Sequence, residues 1–120
     1  MNAQELIKVI NTCVDELDFI SARKYMEENK ELLKRSKHRL NRNAQDLLEF
    51  VVTKSENQLD PKEIHAIHAI NNYASNFDIR ALKLIVKDKA ALISRKDTLT
   101  YLNEDAKAIL ESMRVVSLNA

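Results

Sequence analysis

Apolar residues recur along this chain at three- and four-residue intervals almost without a break, the spacing that gathers side chains on one face of an α-helix. Leu6, Val9, Ile10, Cys13, Val14 and Leu17 form one such stripe and predict a first helix over residues 2–16. Asp18 is placed to cap a second, whose Phe19, Ala22, Met26, Asn29 and Leu33 keep the same period. A third helix is expected through Leu40, Ala44, Leu47, Leu48 and Val51, with Asn41 or Asn43 as its cap. The period then fails at residues 55–59, the expected linker. Asp60-Pro61-Lys62-Glu63 is the best start signal in the chain: a capping acid, proline at the first helical position and glutamate at the third. It opens a fourth helix, buried through Ile67, Ile70, Tyr73, Ala74 and Phe77. The fifth, over 79–94, is apolar on most of its circumference and is therefore expected to be the central, most buried helix. The sixth opens at Asn103, carries Ala106, Ile109, Leu110 and Met113, and frays near Ser117.

These helices fall into two sets of three. Residues 40–49 lie over 102–111 at an offset of 62, with five of ten positions identical, among them Leu40/Leu102, Asn41/Asn103 and Ala44/Ala106. Residues 20–33 lie over 79–92 at an offset of 59, where Ile20/Ile79, Ala22/Ala81, Lys24/Lys83, Lys30/Lys89 and Leu33/Leu92 are identical. Upstream, Ile10-Asn11 matches Ile70-Asn71, and Leu17-Asp18 lies over Phe77-Asp78. The matched positions are mostly stripe residues and caps, so each set is a three-helix unit with one face to bury. The expected fold is all-α: one compact six-helix domain over 1–120, internally repeated as 1–56 and 60–118, arranged as an α-solenoid-like stack or an orthogonal bundle. A unit of this kind resembles the helix pairs of tetratricopeptide-like and other α-solenoid repeats, with Ala22-Arg23-Lys24-Tyr25-Met26 as a second-helix segment. The glycine and proline of the tetratricopeptide consensus are missing, and about 60 residues exceeds its ~34-residue period, so that family is not assigned.

Composition sharpens the picture by exclusion. The chain has 120 residues and no glycine, where usage of ~7% would supply about eight. Without glycine there is no GxxxxGK[ST] phosphate loop, no GxGxxG dinucleotide turn and no GxSxG nucleophile elbow. Tight hairpin turns lose their favoured residue as well, which counts against a β domain. A formal net charge of +1 produces no overall field toward nucleic acid or anionic lipid. The start shows no basic segment followed by an apolar one, and no run approaches the ~18 apolar residues of a membrane span. Cys13 is the single cysteine, which excludes an intrachain disulfide and fits a reducing, cytoplasmic setting. Its place on the first stripe makes it a small core residue rather than a reactive thiol.

Four features hold candidate chemistry. Lys34, Arg35, Lys37, Arg39 and Arg42 put five cations into nine residues with no acid between them, a candidate contact for a polyanion or an acidic partner. Cations at a helix C-terminus also answer its dipole, and nearby Glu27, Glu28 and Glu31 dilute their field, so nucleic acid is the second reading. His65 and His68 share a helix face, but they fall on the solvent side with too few partners for a closed metal site. The adjacent carboxylates Asp15-Glu16, Glu27-Glu28 and Glu104-Asp105 fall on wet faces or in a first helical turn, where nothing raises a pKa for acid–base work. No catalytic residue, metal or cofactor is expected. What remains is surface recognition: Leu84 and Ala91 on the fifth helix would form an exposed patch unless neighbours cover them. Tyr25 and Tyr73 could serve the same interface, tyrosine offering large contact area at low entropy cost. The expected function is a non-catalytic interaction or regulatory module binding a protein or peptide partner on a helical surface, a homodimer included. A helical DNA-binding regulator using 34–42 is the alternative, and an enzyme with a site between the two halves is the weaker one.

Overall fold

Helix starts in this protein are fixed by Asn and Asp side chains that take up the free backbone amides of the first turn. A computed structural model describes residues 1–53 and 58–118. Asn2 caps α1 (Ala3–Asp15) by accepting from the Glu5 amide at 2.8 Å. Asp18 caps α2 (Phe19–Glu28) through the Ser21 amide, and Asn41 caps α4 (Arg42–Thr53) through the Ala44 amide. Between them lie α3 (Lys30–Arg35) and a single 3₁₀ turn at Lys37–Arg39. The capping box at Asp60 and Glu63 is complete and opens α5 (Pro61–Ser75) with Pro61 in its first turn. Asp78 caps α6 (Ile79–Asp88), followed by α7 (Ala90–Ile93) and α8 (Thr98–Tyr101). Asn103 caps α9 (Glu104–Ser112). Every regular element among the described residues is helical, so the all-α reading holds.

Two expectations about the elements need correcting. The predicted second and fifth helices each break, at Asn29 (φ −135°, ψ 34°) and at Lys89 (φ −113°, ψ 36°). Asn29 shows one cause: its side-chain amide donates to the Tyr25 carbonyl at 2.9 Å, competing with the helical ladder. The apolar spacing runs on through both breaks, which hid them. The fifth helix is also not the most buried one. In α6 only Leu82 and Val86 are fully buried, and Leu84, on the opposite side of the turn, is 66% exposed. The remaining apolar burial belongs to α7, where Ala90, Leu92 and Ile93 are inside. Summing the two short helices as one made a single helix look apolar all round. The helix at Thr98–Tyr101 was not foreseen, and of the expected linker residues 55–57 lie outside the described residues while Leu59 is buried.

One apolar core runs through the described residues. Phe19, Ile10, Met26 and Leu33 fill it from the first half and Ile67, Ile70, Leu82, Ile93 and Leu110 from the second. The helix α1 packs on α2 and α4, α5 packs on α6, α8 and α9, and α4 against α7 joins the two groups. Beyond α9, Val115 and Val116 are buried, and the Arg114 carbonyl accepts from the Ile20 amide of α2 at 3.2 Å. The radius of gyration, 14.1 Å, is close to the roughly 13.6 Å expected for this length, on a body 41 × 27 × 26 Å.

Several local devices recur across the chain. Leu17 and Phe77 both end a helix in left-handed backbone, at φ 65° and 54°. In each case the residue and its successor bond back to two earlier carbonyls: Leu17 to Val14 and Asp18 to Cys13, then Phe77 to Ala74 and Asp78 to Tyr73. That is the Schellman closure, made here without glycine. Arg114 (φ 62°) repeats it after α9. The side chain of Asn11 accepts from the Asn41 amide at 2.9 Å, and that of Asn71 accepts from the Asn103 amide at the same distance. The caps at Asp18 and Asp78 and the breaks at Asn29 and Lys89 correspond at an offset of 60. Residues 20–33 show their sequence identities at 59, so those identities sit one residue out of step with the caps and breaks.

Candidate functional site

The outer face of α6 is the most distinctive surface. Arg80, Lys83 and Lys87 stand at i, i+3 and i+7 and share that face with Leu84. Across from them lie Asp15, Glu16 and Leu17 at the end of α1, with Met113 closing the floor, and together they enclose a cleft of about 420 Å3. Leu17 is there because its left-handed backbone turns the chain back under α1, leaving its side chain 4% exposed. None of the five charged groups forms an ion pair with another described residue. Phe77, three residues before Arg80, is 71% exposed. Leu84 is thus an exposed apolar centre with a charged rim, in which Asp15 also accepts from the Asn41 side-chain amide at 3.4 Å.

Of the residues expected at an interface, the structure assigns Leu84 alone to this cleft. Tyr25 is half-buried on α2 and borders a different hollow, and Tyr73 is half-buried on α5 against the core. Ala91 borders a third cleft. Two cations of the basic segment have carboxylate partners, Lys34 at 3.5 Å from Glu31 and Lys37 at 3.4 Å from Glu49, while Arg35 donates to the Glu31 backbone carbonyl and keeps its charge uncompensated by that bond. Arg39 and Arg42 are exposed. His65 and His68 are exposed on α5, and among the described residues no group of three or more His, Cys, Asp or Glu is placed to hold a metal. Cys13 is half-buried against the core; burial pushes its thiol pKa up, and Asp18 and Glu16 add to the rise. That shift lowers its thiolate fraction.

A polar cleft of about 430 Å3 does lie between the halves, bordered by Asp46 of α4 and by Asp60, Glu63 and Asp88. Its carboxylates are largely engaged elsewhere. Asp60 and Glu63 form the capping box, Glu63 also lies 3.8 Å from Arg95, and Asp88 lies 3.8 Å from Lys89. Arg95 is only 8% exposed and holds Asp97 with two bonds, at 3.0 and 2.7 Å. Sequence pattern alone gave no sign of it, because its segment, 94–98, reads as a nearly neutral loop. Arg23 is tied to the Phe19 and Ser94 carbonyls, joining α2 to the end of α7, and burial lowers its pKa. Burial raises the Asp18 carboxyl, but bonds from Ser21 and Arg114 outweigh that and hold it below the ordinary carboxylate range. These groups do structural work.

No helix among the described residues is long and apolar enough to cross a membrane. The chain matches no family model, no curated protein and no solved structure, so its function has to be argued from its own residues.

Proposed function

We propose that this protein is a small, non-catalytic cytoplasmic interaction module that receives a protein partner on the outer face of α6. The observation that carries this reading is Leu84: a leucine 66% exposed, seated in a cleft whose five bordering charges have no ion-pair partner among the described residues. Single exposed leucines are ordinary, but a concave site gives this one somewhere to receive a side chain. The binding energy would come from burying Leu84 and its partner residue, and the rim charges would set register and choice of partner. The recurring caps, breaks and Asn–Asn bonds support a second part of the proposal, that the fold descends from a duplicated helical unit whose second helix is broken. The rival reading, a nucleic-acid contact through 34–42, is weakened by the carboxylates beside Lys34 and Lys37.

Affinity capture of the tagged protein from its own cells, alongside Leu84→Asp, tests the reading. Leu84 is exposed, so the variant keeps its fold, which circular dichroism checks. A protein retained by the wild type and lost with Leu84→Asp is the expected result. Nothing retained, or the same protein retained by both, overturns it.

A further inference from the structure

We propose that the occupant of the α6 cleft is a second copy of this chain, the two copies pairing about a two-fold axis. This rests on the reading above, that the cleft is a protein-binding surface, and names what binds there.

The argument begins with the charges. One wall of the cleft is cationic, with Arg80, Lys83 and Lys87, and the other is anionic, with Asp15 and Glu16. The two rows face the same space yet make no ion pair with each other. An acidic peptide would satisfy one wall and be repelled by the other, and a basic peptide would do the reverse. A second copy brings both rows in matching order. A two-fold contact sets the same patch against itself, so that patch has to be complementary to itself. A two-fold axis running along the cleft lays each basic row on the partner's acidic row. An axis across the cleft would set like on like, so the charges also select the orientation.

Apolar area points the same way. Leu84 lies in the cleft and is 66% exposed. An axis along the cleft keeps each position along α6 level with its counterpart, so each Leu84 meets the partner's Leu84 and both leave solvent.

Sedimentation velocity on the full chain, from micromolar to millimolar, decides the matter. Two charge-reversed variants are prepared: Arg80→Glu with Lys83→Glu and Lys87→Glu, and Asp15→Lys with Glu16→Lys. The wild type is expected to sediment as a dimer, and each variant alone as a monomer, pairing about a hundredfold more weakly because like charges then face each other. Mixing the two variants in equal amounts restores a dimer containing one copy of each. Leu84→Ser, which leaves every charge in place, also weakens pairing. A wild type that stays monomeric at millimolar concentration overturns the proposal, as does a dimer that both charge variants keep. If the wild type is monomeric while Leu84→Asp still loses a captured protein, pairing fails and the reading of the cleft as a partner surface survives. If capture fails as well, both fall.

Discussion

Leu17, Phe77 and Arg114 sit in left-handed backbone where a side chain costs about 1 kcal/mol relative to glycine. The three positions differ in what their side chains give back. Leu17 is buried, Arg114 pairs with Asp18 at 3.1 Å, and Phe77 is mostly in solvent. Phe77→Gly is therefore expected to stabilise the folded monomer by about 0.5–1 kcal/mol, part of the relief being offset by a freer unfolded chain. Leu17→Gly, with the same backbone relief, should destabilise, because burying a leucine is worth about 1.5–3 kcal/mol. Urea unfolding at concentrations too low for self-association checks both, and a loss of stability in Phe77→Gly would contradict the backbone argument. At this scale the sequence was informative about exclusion and silent about strain. The lack of glycine removed whole classes of site, but it also removed the marker that usually shows where a chain turns left-handed.

At the scale of elements, starts were legible and interiors were not. Asp18, Asn41, Asp60 and Asn103 were readable as caps because capping needs a short polar side chain at a fixed place, and the structure puts each of them there. The breaks at Asn29 and Lys89 were invisible, since Ala22, Met26 and Leu33 keep a helical period across the first of them. The cleft was half legible. Arg80, Lys83, Leu84 and Lys87 show their shared face by spacing alone, whereas Asp15 and Glu16 join them only through packing. Asn11 and Asn71 were visible as a matched pair without a role. Each turns out to hold the amide that opens α4 or α9, and so ties those helices to α1 and α5. Asn11→Ala and Asn71→Ala should each lower stability by about 1–3 kcal/mol, the cost of a part-buried amide left without a partner. Asn71→Ala should cost the more of the two, because its side-chain amide also donates to the Tyr101 carbonyl at 2.9 Å, and both should leave the denaturant slope unchanged; a value near zero for either would mean that water replaces the bond.

For the whole molecule, an all-helical body with one core followed directly from periodicity, and no strand is present among the described residues. How the two groups of helices meet did not follow, because the joining contacts are few and cross long stretches of sequence. Arg23 reaches Ser94, α4 packs on α7, and the residues after α9 return to α2. The bond from the Ile20 amide to the Arg114 carbonyl has a kinetic consequence. The amides in a helix's first turn usually have no partner in the helix and exchange their hydrogens quickly. The Glu5 amide in the first turn of α1 bonds to the Asn2 side chain three residues away, so local fraying of α1 frees it. The Ile20 hydrogen is held by the Arg114 carbonyl, and its release requires the segment after α9 to leave α2. Deuterium should therefore enter Glu5 long before Ile20, which makes one backbone hydrogen a clock for the release of the segment after α9 from α2.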